Sequence, residues 1–277
     1  MRNMFNLAGK TSVVTGGGRG IGRGIAKSLA QNGSAVVVSG RSADALRNTV
    51  DELRAAGAEA EFLVQDITEP SASQDLANFT LQRFGAIDCW VNNAGSASPD
   101  DVGPLLDIDE GRWDRVVDLN LKATFFACQT AARVMTSGGS LVNITSRSAS
   151  QPNPNTGHYG AAKSAVENLS ATMAVEWGHL GIRVNCVAPG LVLTELDETD
   201  VGVMNTPERR QRQIDSVPLG RLGVVDDIGP VVAFLASDET AWLSGAVIPV
   251  NGGSRVSVGY MSYLRRVAAQ KRSETSS

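Results

Sequence analysis

Short apolar runs alternate along the chain with longer stretches of helical periodicity. The first apolar runs are Ser12 to Thr15, then SAVVVSG, EAEFLVQ and AIDCWVN. Valine-rich runs of this length, bounded by glycine and polar residues, are typical of buried parallel strands. The stretches between them, one running from about Ser71 to Phe84, predict helices. This alternation predicts an α/β fold, in which a parallel sheet carries helices on both faces and its crossovers are right-handed.

The second half of the chain repeats this alternation. SLVNIT, GIRVNCVAPG and AVIPVNGG predict further strands, which gives six or seven in all. Helices are predicted over 109–135, over 157–180 and from about Asp226 to Ser237. The first of these is apolar on two faces, which suggests packing against another subunit. With no linker or internal repeat, we expect one domain over 1–253 and a partly ordered tail over 254–277.

Composition narrows the class of protein. The chain has 277 residues and a formal net charge of −4, and it shows no basic stripe, so nucleic acid is an unexpected partner. Its cysteines lie far apart in apolar runs, which indicates core thiols in a reducing compartment. No metal-ligand cluster, membrane-spanning run or signal peptide is evident. We therefore expect no metal and no membrane contact, and the cytoplasm as the location.

A glycine-rich turn follows the first strand and opens a helix. Thr15, Gly16, Gly20 and Gly22 meet the pattern T-G-x-x-x-G-x-G. Glycine accepts a positive φ and has no Cβ to hold a phosphate away, and the N–H groups that begin the helix attract an anion. The strand–turn–helix context favours a dinucleotide site over a turn without a ligand.

The second strand ends without the carboxylate that binds a ribose 2′-hydroxyl in many dinucleotide folds. Gly40 stands there, with Arg41 beside it, and Arg19 lies in the glycine turn. Two guanidinium groups suit a 2′-phosphate, which they bind bidentately. The sequence therefore predicts NADP(H) rather than NAD(H), the alternative being two solvated surface arginines.

Polar residues also follow the third and fourth strands. Asp66 could accept a hydrogen bond from an adenine amino group, or it could be a simple loop acid. Small residues in the turn Asn92-Asn93-Ala94-Gly95 would let the backbone approach a ligand closely. Because these positions all follow strands, we expect them at the carboxyl edge of the sheet, where such folds bind ligands.

Tyr159 and Lys163 are four residues apart in a predicted helix, so they share one face. A cation favours the phenolate, and we expect Lys163 to lower the pKa of Tyr159. Ser146 follows the strand SLVNIT and could reach the same point. Since Y-x-x-x-K also occurs by chance, this trio carries weight only together with the other motifs.

Three segments are expected to wall a substrate pocket: Ala94 to Asp101, Arg147 to Tyr159, and a mobile flap over 194–217. They mix small and polar residues, so a neutral, moderately apolar ketone is the default substrate. Arg147 is predicted at the surface, with a contact to a substrate carboxylate as the alternative.

Taken together and in this order, the motifs resemble those of the short-chain dehydrogenase/reductase family over about Leu7 to Gly253. They are TGGGRGIG, Asp66-Ile67, Asn92-Asn93-Ala94-Gly95, Asn120, Ser146, Tyr159-Gly-Ala-Ala-Lys163, Pro189-Gly190-x-Val192-x-Thr194 and NGG. The resemblance implies a single Rossmann-type doubly wound domain with a seven-stranded sheet in the order 3-2-1-4-5-6-7. It also implies a homodimer or homotetramer, packed through the helices that hold Asn120 and Tyr159.

The resemblance further implies a catalytic set of Asn120, Ser146, Tyr159 and Lys163, with Val192 and Thr194 on the nicotinamide amide. Motif and resemblance together predict these cofactor-binding residues: Gly16, Arg19, Gly20, Ile21, Gly22, Arg41, Ser42, Asp66, Ile67, Asn93, Ala94, Gly95, Tyr159, Lys163, Val192 and Thr194.

The expected activity is NADP(H)-dependent interconversion of a ketone and a secondary alcohol, with Tyr159 as acid or base. Two alternatives stay open. The same site could catalyse another reaction, such as enoyl reduction or epimerisation, or the chain could be a non-enzymatic NADP-binding protein.

Overall fold

Seven parallel strands form the central sheet in a computed structural model that describes residues 5–194, 206–253 and 263. They are β1 (Thr11–Thr15), β2 (Ala35–Gly40), β3 (Ala60–Val64), β4 (Cys89–Asn92), β5 (Gly139–Ile144), β6 (Ile182–Pro189) and β9 (Val247–Val250). Their order is β3-β2-β1-β4-β5-β6-β9. Two short strands, β7 (Val192–Leu193) and β8 (Gly223–Val224), pair separately. The predicted doubly wound order is confirmed, with β9 as the seventh strand of the sheet.

Helices cover both faces of this sheet. They are α1 (Gly20–Gln31), α2 (Ala43–Ala55), α3 (Ala72–Phe84), α4 (Glu110–Val117), α5 (Ala123–Val134), α6 (Gly157–Trp177), α7 (Pro207–Ser216) and α8 (Val225–Ala236). One core joins α1, α2 and α8 to the sheet, and the other joins α3, α5 and α6.

Neighbouring residues within a strand serve opposite cores. Val13 packs with α3 and α5, whereas Val14 packs with α1 and α8, and both are fully buried. Successive side chains point to opposite faces of a sheet. A strand buried on both sides must therefore be apolar throughout, which is why these runs read as continuous valine stretches.

Buried amides fix the centre of the sheet against α6. Asn92 Nδ2 donates to Asn143 Oδ1 at 2.9 Å, and Asn143 Nδ2 donates to Ser170 Oγ at 2.9 Å. Since β4 and β5 end beside the cleft and α6 carries Tyr159, this chain of bonds holds the three elements in register. Polar groups buried this deeply are tolerated because they are paired.

The helical stretch predicted over 109–135 is confirmed, and it contains a π-helical turn at Asp118–Lys122 between α4 and α5. Two other local predictions were wrong. The third strand ends at Val64, so Asp66 lies in the following loop. Part of the predicted irregular flap is helix α7, which Thr206 caps by accepting the Arg209 N–H. Its remaining residues, 195–205, lie outside the described part, as does the tail from residue 254 except Tyr263.

The three cysteines are buried core residues, as predicted. Cys89, Cys128 and Cys186 are free thiols, and burial raises the pKa of each to about 12. Such thiols are inert at neutral pH. Within the described ranges, no group of three His, Cys, Asp or Glu residues could hold a metal ion. No helix there has both the length and the apolar character to cross a membrane.

Candidate active site

A cleft of about 1240 Å³ opens along the carboxyl ends of the strands. It collects nearly all the residues predicted for the site. Those lining it are Gly16, Arg19, Gly20, Ile21, Gly22, Arg41, Ser42, Asp66, Ile67, Asn93, Ala94, Gly95, Ser146, Tyr159, Lys163 and Thr194. One edge of a parallel sheet therefore brings together motifs that are far apart in sequence.

The glycine turn follows β1 in the middle of the cleft, against the start of α1. Gly16 has a φ of 66°, in the left-handed region that favours glycine. A Cβ on Gly22 would lie 2.2 Å from the Gly16 carbonyl oxygen, so no side chain fits there. Glycine here allows the first turn of α1 to pack against the end of β1, with its N–H groups directed at the cleft.

Asn93 holds this turn in place. Its Nδ2 donates to the carbonyls of Thr15 (2.9 Å) and Gly16 (3.2 Å), while its backbone N–H donates to Thr15 Oγ1 at 3.0 Å. Its side chain therefore links the ends of β1 and β4. The sequence predicted Asn93 only as a cofactor-binding residue and did not predict this structural role.

Arg41 and Asp66 face each other across the ends of β2 and β3. The Arg41 guanidinium is 3.9 Å from Asp66 Oδ2 and its side chain is 76% exposed, so this pair adds little stability. Partial burial raises the pKa of Asp66, but two hydrogen bonds from Thr68 and the Arg41 charge outweigh it, so the pKa lies below the ordinary value. Ser42, the N-cap of α2, completes this corner.

Gln65 lines the same corner and was missed from the sequence. Its Nε2 is buried without a hydrogen-bond partner. A buried amide nitrogen left unpaired is costly. The amide therefore has a donor to offer to a ligand in the cleft, although a glutamine at the end of a strand gives no signal in sequence.

Ser146 and Tyr159 meet at the other end of the cleft. Ser146 follows β5 with an extended backbone, and its Oγ accepts the Ser148 N–H at 3.1 Å. Its side chain also hydrogen-bonds to Tyr159. The serine is thus held by a backbone N–H on one side and by the Tyr159 hydroxyl on the other.

Lys163 lies one turn along α6 from Tyr159 and is buried, with 3% of its surface exposed. Its Nζ is 5.7 Å from the centroid of the Tyr159 ring and donates to the Ile144 carbonyl at 3.0 Å. Burial lowers the pKa of Lys163 to about 8. An ammonium in an apolar setting loses its proton more readily because the charged form is desolvated.

The prediction that Lys163 lowers the pKa of Tyr159 was wrong for the protein alone. Burial raises the pKa of Tyr159, and the hydrogen bond from Ser146 only partly offsets this. The burial that disfavours the Tyr159 phenolate also disfavours the charged form of Lys163, which would stabilise that phenolate. At neutral pH Tyr159 is therefore a protonated phenol, which is the form that can donate a proton.

Asn120 sits in the π-helical turn behind Lys163. Its Nδ2 donates to the carbonyls of Ser96 (2.8 Å) and Val116 (2.9 Å), while its Oδ1 is buried without a partner. A Cβ on Gly95 would lie 2.6 Å from this Oδ1 and 3.0 Å from Lys163 Nζ. Glycine is therefore required at position 95 if amide and ammonium are to lie side by side.

Two predicted positions do not line the cleft. Asn120 stands behind it, and Val192 packs against the core beside α8. Thr194, two residues after Val192, does line it. Conversely, an ion pair at the rim of the cleft was not predicted from the sequence. Arg115 on α4 donates to Asp101 Oδ1 at 2.9 Å, and Ser98 donates to Asp101 Oδ2 at 2.7 Å.

Arg147 was predicted at the surface, but it is half-buried. Burial lowers the pKa of its guanidinium, and no carboxylate offsets this effect. Its backbone carbonyl accepts the Ser150 N–H and closes a 3₁₀ turn, Arg147–Ala149. This cation therefore lies next to Ser146 in the loop that follows β5.

The cleft fits a dinucleotide. Arginines stand at one end, a glycine cradle that a Cβ would fill lies in the middle, and a Ser–Tyr–Lys group stands at the other end. Fold and site together define a nicotinamide-dependent oxidoreductase.

The chain belongs to the short-chain dehydrogenase/reductase family. The family model described as enoyl-(acyl carrier protein) reductase matches residues 16–255. A hydroxynaphthalene reductase-like protein of Metarhizium guizhouense is 40% identical over 261 residues, covering 90% of this chain and 96% of its own.

Solved structures agree with this membership. A 7α-hydroxysteroid dehydrogenase complexed with NADH and 7-oxo glycochenodeoxycholic acid is 35% identical, with a TM-score of 0.83, and the match covers 90% of this chain and 95% of that one. A protein from Beutenbergia cavernae with NADP bound at low occupancy is 34% identical, with a TM-score of 0.82, over 90% and 98% of the two chains.

Proposed function

We propose that this protein is an NADP(H)-dependent oxidoreductase that interconverts a ketone and a secondary alcohol. The observation that carries the proposal is the contact between the hydroxyls of Ser146 and Tyr159, with Lys163 one helical turn away, at the end of a dinucleotide-sized cleft. Such a group can hold a carbonyl oxygen and protonate it. When bound, the nicotinamide supplies the hydride.

In the direction of reduction, Ser146 donates its hydroxyl hydrogen to the substrate's carbonyl oxygen and orients it. Tyr159 donates the phenolic proton as negative charge builds on that oxygen. Because burial raises the pKa of Tyr159, the phenol is fully protonated at neutral pH and gives up its proton only to a stronger base, which the developing alkoxide is.

Lys163, together with a water held by Asn120, would return the proton to Tyr159. The Lys163 ammonium, whose pKa is about 8, can lose a proton and regain it near neutral pH. The unpaired Oδ1 of Asn120 would accept a hydrogen bond from a water molecule placed between the two side chains. That water would connect the buried ammonium to solvent, so the phenol can be reprotonated after each turnover.

Several features of the cleft favour NADP(H). Arg41 is exposed and held by a single weak contact to Asp66, so its guanidinium can turn to a 2′-phosphate without losing a strong ion pair. Arg19, at the N-cap of α1, lines the same part of the cleft. Since solved relatives bind NADH in one case and NADP in the other, the arginines carry this part of the proposal.

The cofactor preference is tested by replacing Arg41 with alanine. We expect kcat/KM for NADPH to fall about 10- to 100-fold, because a charge-assisted bidentate contact is lost, with NADH nearly unaffected. Steady-state assays with both cofactors measure this. Arg47→Ala on α2, whose partner is Asp44, is the matched control. A wild-type enzyme that prefers NADH would contradict the assignment.

The substrate is proposed as a ketone or alcohol with an apolar body. The relatives are named for hydroxynaphthalene and hydroxysteroid chemistry, and the pocket loops of this chain mix small and polar residues. A panel of ketones, read by loss of NADPH absorbance, tests the activity. Failure to turn over any ketone, with NADPH binding intact, would favour a non-enzymatic cofactor-binding role.

Enoyl reduction remains a second candidate because the matching family model carries that description. The two reactions differ in their products. With an α,β-unsaturated ketone, carbonyl reduction yields the unsaturated alcohol, whereas enoyl reduction yields the saturated ketone. Chromatography of the products separates these two outcomes.

Self-association is also proposed. Trp113 on α4 and Phe126 on α5 are 45% and 49% exposed, on the helices that were predicted to pack against another subunit. Large apolar side chains exposed on neighbouring helices are typical of an interface. A dimer or tetramer in light scattering would support this proposal, and a monomer would refute it.

A further inference from the structure

Glu167 is a half-buried carboxylate that the proposed mechanism leaves unused. It lies on α6 one turn beyond Lys163, and Tyr159 lies one turn before that lysine. Residues four apart share one face of a helix, so Glu167 belongs to the face that carries the tyrosine and the lysine. This face therefore presents a third titratable side chain that has no assigned role.

Three consecutive residues at and just after the end of β5 bond to this face of α6. The bonds join the Ile144 carbonyl to Lys163 Nζ at 3.0 Å, Thr145 Oγ1 to Glu167 Oε1 at 2.9 Å, and the Ser146 hydroxyl to Tyr159. The first and the last of these bonds belong to the proposed mechanism. The bond from Thr145 to Glu167 stands between them in chain order, so it acts on the same short segment.

Thr145 is fixed from two sides, and Glu167 supplies one of them. Thr145 is buried, with 3% of its surface exposed, and it lines the cleft. Its backbone N–H donates to the Val187 carbonyl on β6 at 2.8 Å. Its hydroxyl oxygen is 2.9 Å from Glu167 Oε1 and 3.3 Å from the Val187 carbonyl oxygen, and the single hydroxyl hydrogen favours the shorter, charge-assisted bond. The carboxylate therefore selects the χ1 rotamer of the residue that directly precedes Ser146.

The carboxylate is costly where it stands. Burial raises the pKa of Glu167, and the hydrogen bond from Thr145 only partly offsets this. No cation in the described part of the chain adds to that offset. If this side chain only packed α6 onto the sheet, a leucine would do so without desolvating a charge. The carboxylate is therefore better explained by what it holds, which is Thr145 and, through it, Ser146.

We propose that Glu167 is a positioning residue for the reaction. Through the Thr145 hydroxyl it fixes the segment that follows β5, and with it the direction in which Ser146 presents its hydroxyl to Tyr159 and to a substrate carbonyl. This inference rests on the proposed function. It gives Glu167 no contact with substrate or cofactor, so the effect of Glu167 falls on the chemical step and not on cofactor binding.

Two substitutions of Glu167 test this inference kinetically. Glu167→Leu removes the acceptor, and we expect kcat for ketone reduction to fall about 10- to 100-fold, because a small misplacement of a reacting group has effects of this size. The KM for NADPH should change less than about twofold. Glu167→Gln keeps an oxygen that accepts from Thr145, so its kcat should lie within about threefold of wild type. Glu176→Leu, at an exposed position on the same helix, is the control and should match wild type.

Thr145→Val is the reciprocal change. It removes the hydroxyl with little change in volume, and it should lower kcat as Glu167→Leu does. Because the two side chains act through one bond, the double variant should lose no more activity than either single variant. Losses that multiply in the double variant would overturn the inference, since the two residues would then act separately.

A titration of Tyr159 separates this inference from the proposed function. The hydrogen bond from Ser146 lowers the pKa of Tyr159, so a misdirected Ser146 should raise the midpoint at which the absorbance of tyrosinate appears. We expect this rise in Glu167→Leu and not in Glu167→Gln, each measured against the same variant carrying Tyr159→Phe. The expected rise, in a protein that reduces no ketone, would keep the positioning role and reject the reaction.

Two further results would overturn the inference. A kcat of Glu167→Leu within about threefold of wild type, with an unchanged Tyr159 midpoint, would show that Ser146 is placed without Glu167. Equal losses of kcat in Glu167→Leu and Glu167→Gln, accompanied by a lower Tm, would make Glu167 a structural residue. We expect the Tm of Glu167→Leu to be no lower than that of wild type, because the change removes a desolvated charge and leaves Thr145 its bond to Val187.

Discussion

Replacing Tyr159 with phenylalanine is expected to lower kcat by about 10³-fold or more while the affinity for NADPH changes less than about twofold. The substitution removes one oxygen and leaves the ring in place. A positioned proton donor contributes about 10²- to 10⁴-fold to such a step. Without the phenol, only Ser146 would stabilise the substrate's alkoxide, because the Lys163 ammonium is bonded to the Ile144 carbonyl and lies behind the ring.

Two assays check this prediction. NADPH fluorescence titration measures binding, and single-turnover kinetics at saturating ketone measure the chemical step. Tyr263→Phe is the matched control, because Tyr263 is 53% exposed and has no part in the mechanism. Turnover of Tyr159→Phe within about tenfold of wild type would remove Tyr159 from the acid role.

Replacing Gly22 with alanine is expected to weaken NADPH binding at least about 100-fold, which corresponds to about 2.7 kcal/mol. The added Cβ would lie 2.2 Å from the Gly16 carbonyl oxygen and 2.5 Å from Asn93 Nδ2. Both contacts are far inside van der Waals distance, and the first is to backbone, which cannot rotate away. The turn must open, and its N–H groups are then misdirected relative to a phosphate.

Gly178→Ala is the control for this change. Gly178 has helical dihedrals, φ −56° and ψ −36°, and a Cβ there meets nothing within 4 Å, so it should bind NADPH as wild type does. Circular dichroism of both variants shows whether the fold survives. A folded Gly22→Ala protein with unchanged NADPH affinity would show that the cofactor does not lie on this turn.

The sheet could be predicted because its strands are buried on both faces. Val13, Val14, Val36 and Val37 lie in unbroken apolar runs, and only a parallel sheet between two helical layers needs such runs. The site could be predicted because the motif residues follow strands, and carboxyl ends meet at one edge. Sequence order and strand order were therefore enough to bring Gly16 and Tyr159 to one cleft.

What the sequence did not reveal depends on burial and on contacts between distant segments. The pKa of Tyr159 moves opposite to the prediction because desolvation exceeds the effect of a cation that is itself buried. The interruption of the helix at Asn120 and the unpaired amide of Gln65 arise from packing against neighbouring loops. Arg147 was predicted at the surface because its position after Ser146 in the sequence does not indicate how deeply the loop is buried.

The raised pKa of Tyr159 and the lowered pKa of Lys163 act together on the reaction. Reduction uses the protonated phenol, which prevails below the phenol's pKa, whereas oxidation needs the phenolate. For oxidation the phenol must lose its proton near neutral pH, and this requires positive charge close by. The oxidised nicotinamide ring carries such a charge and would add to that of Lys163.

A titration of Tyr159 tests this account most directly. The absorbance of tyrosinate is followed against pH for wild type minus Tyr159→Phe, which isolates one of only three tyrosines, first alone and then with NADP⁺. We predict a midpoint above the ordinary value of about 10 in the protein alone. With NADP⁺ the midpoint should fall to the pKa that governs kcat/KM for alcohol oxidation, and Lys163→Met should abolish most of that fall. A midpoint that ignores NADP⁺, or that is the same in Lys163→Met, would contradict the claim that this phenol, placed beside the buried Lys163, is the group that exchanges the proton.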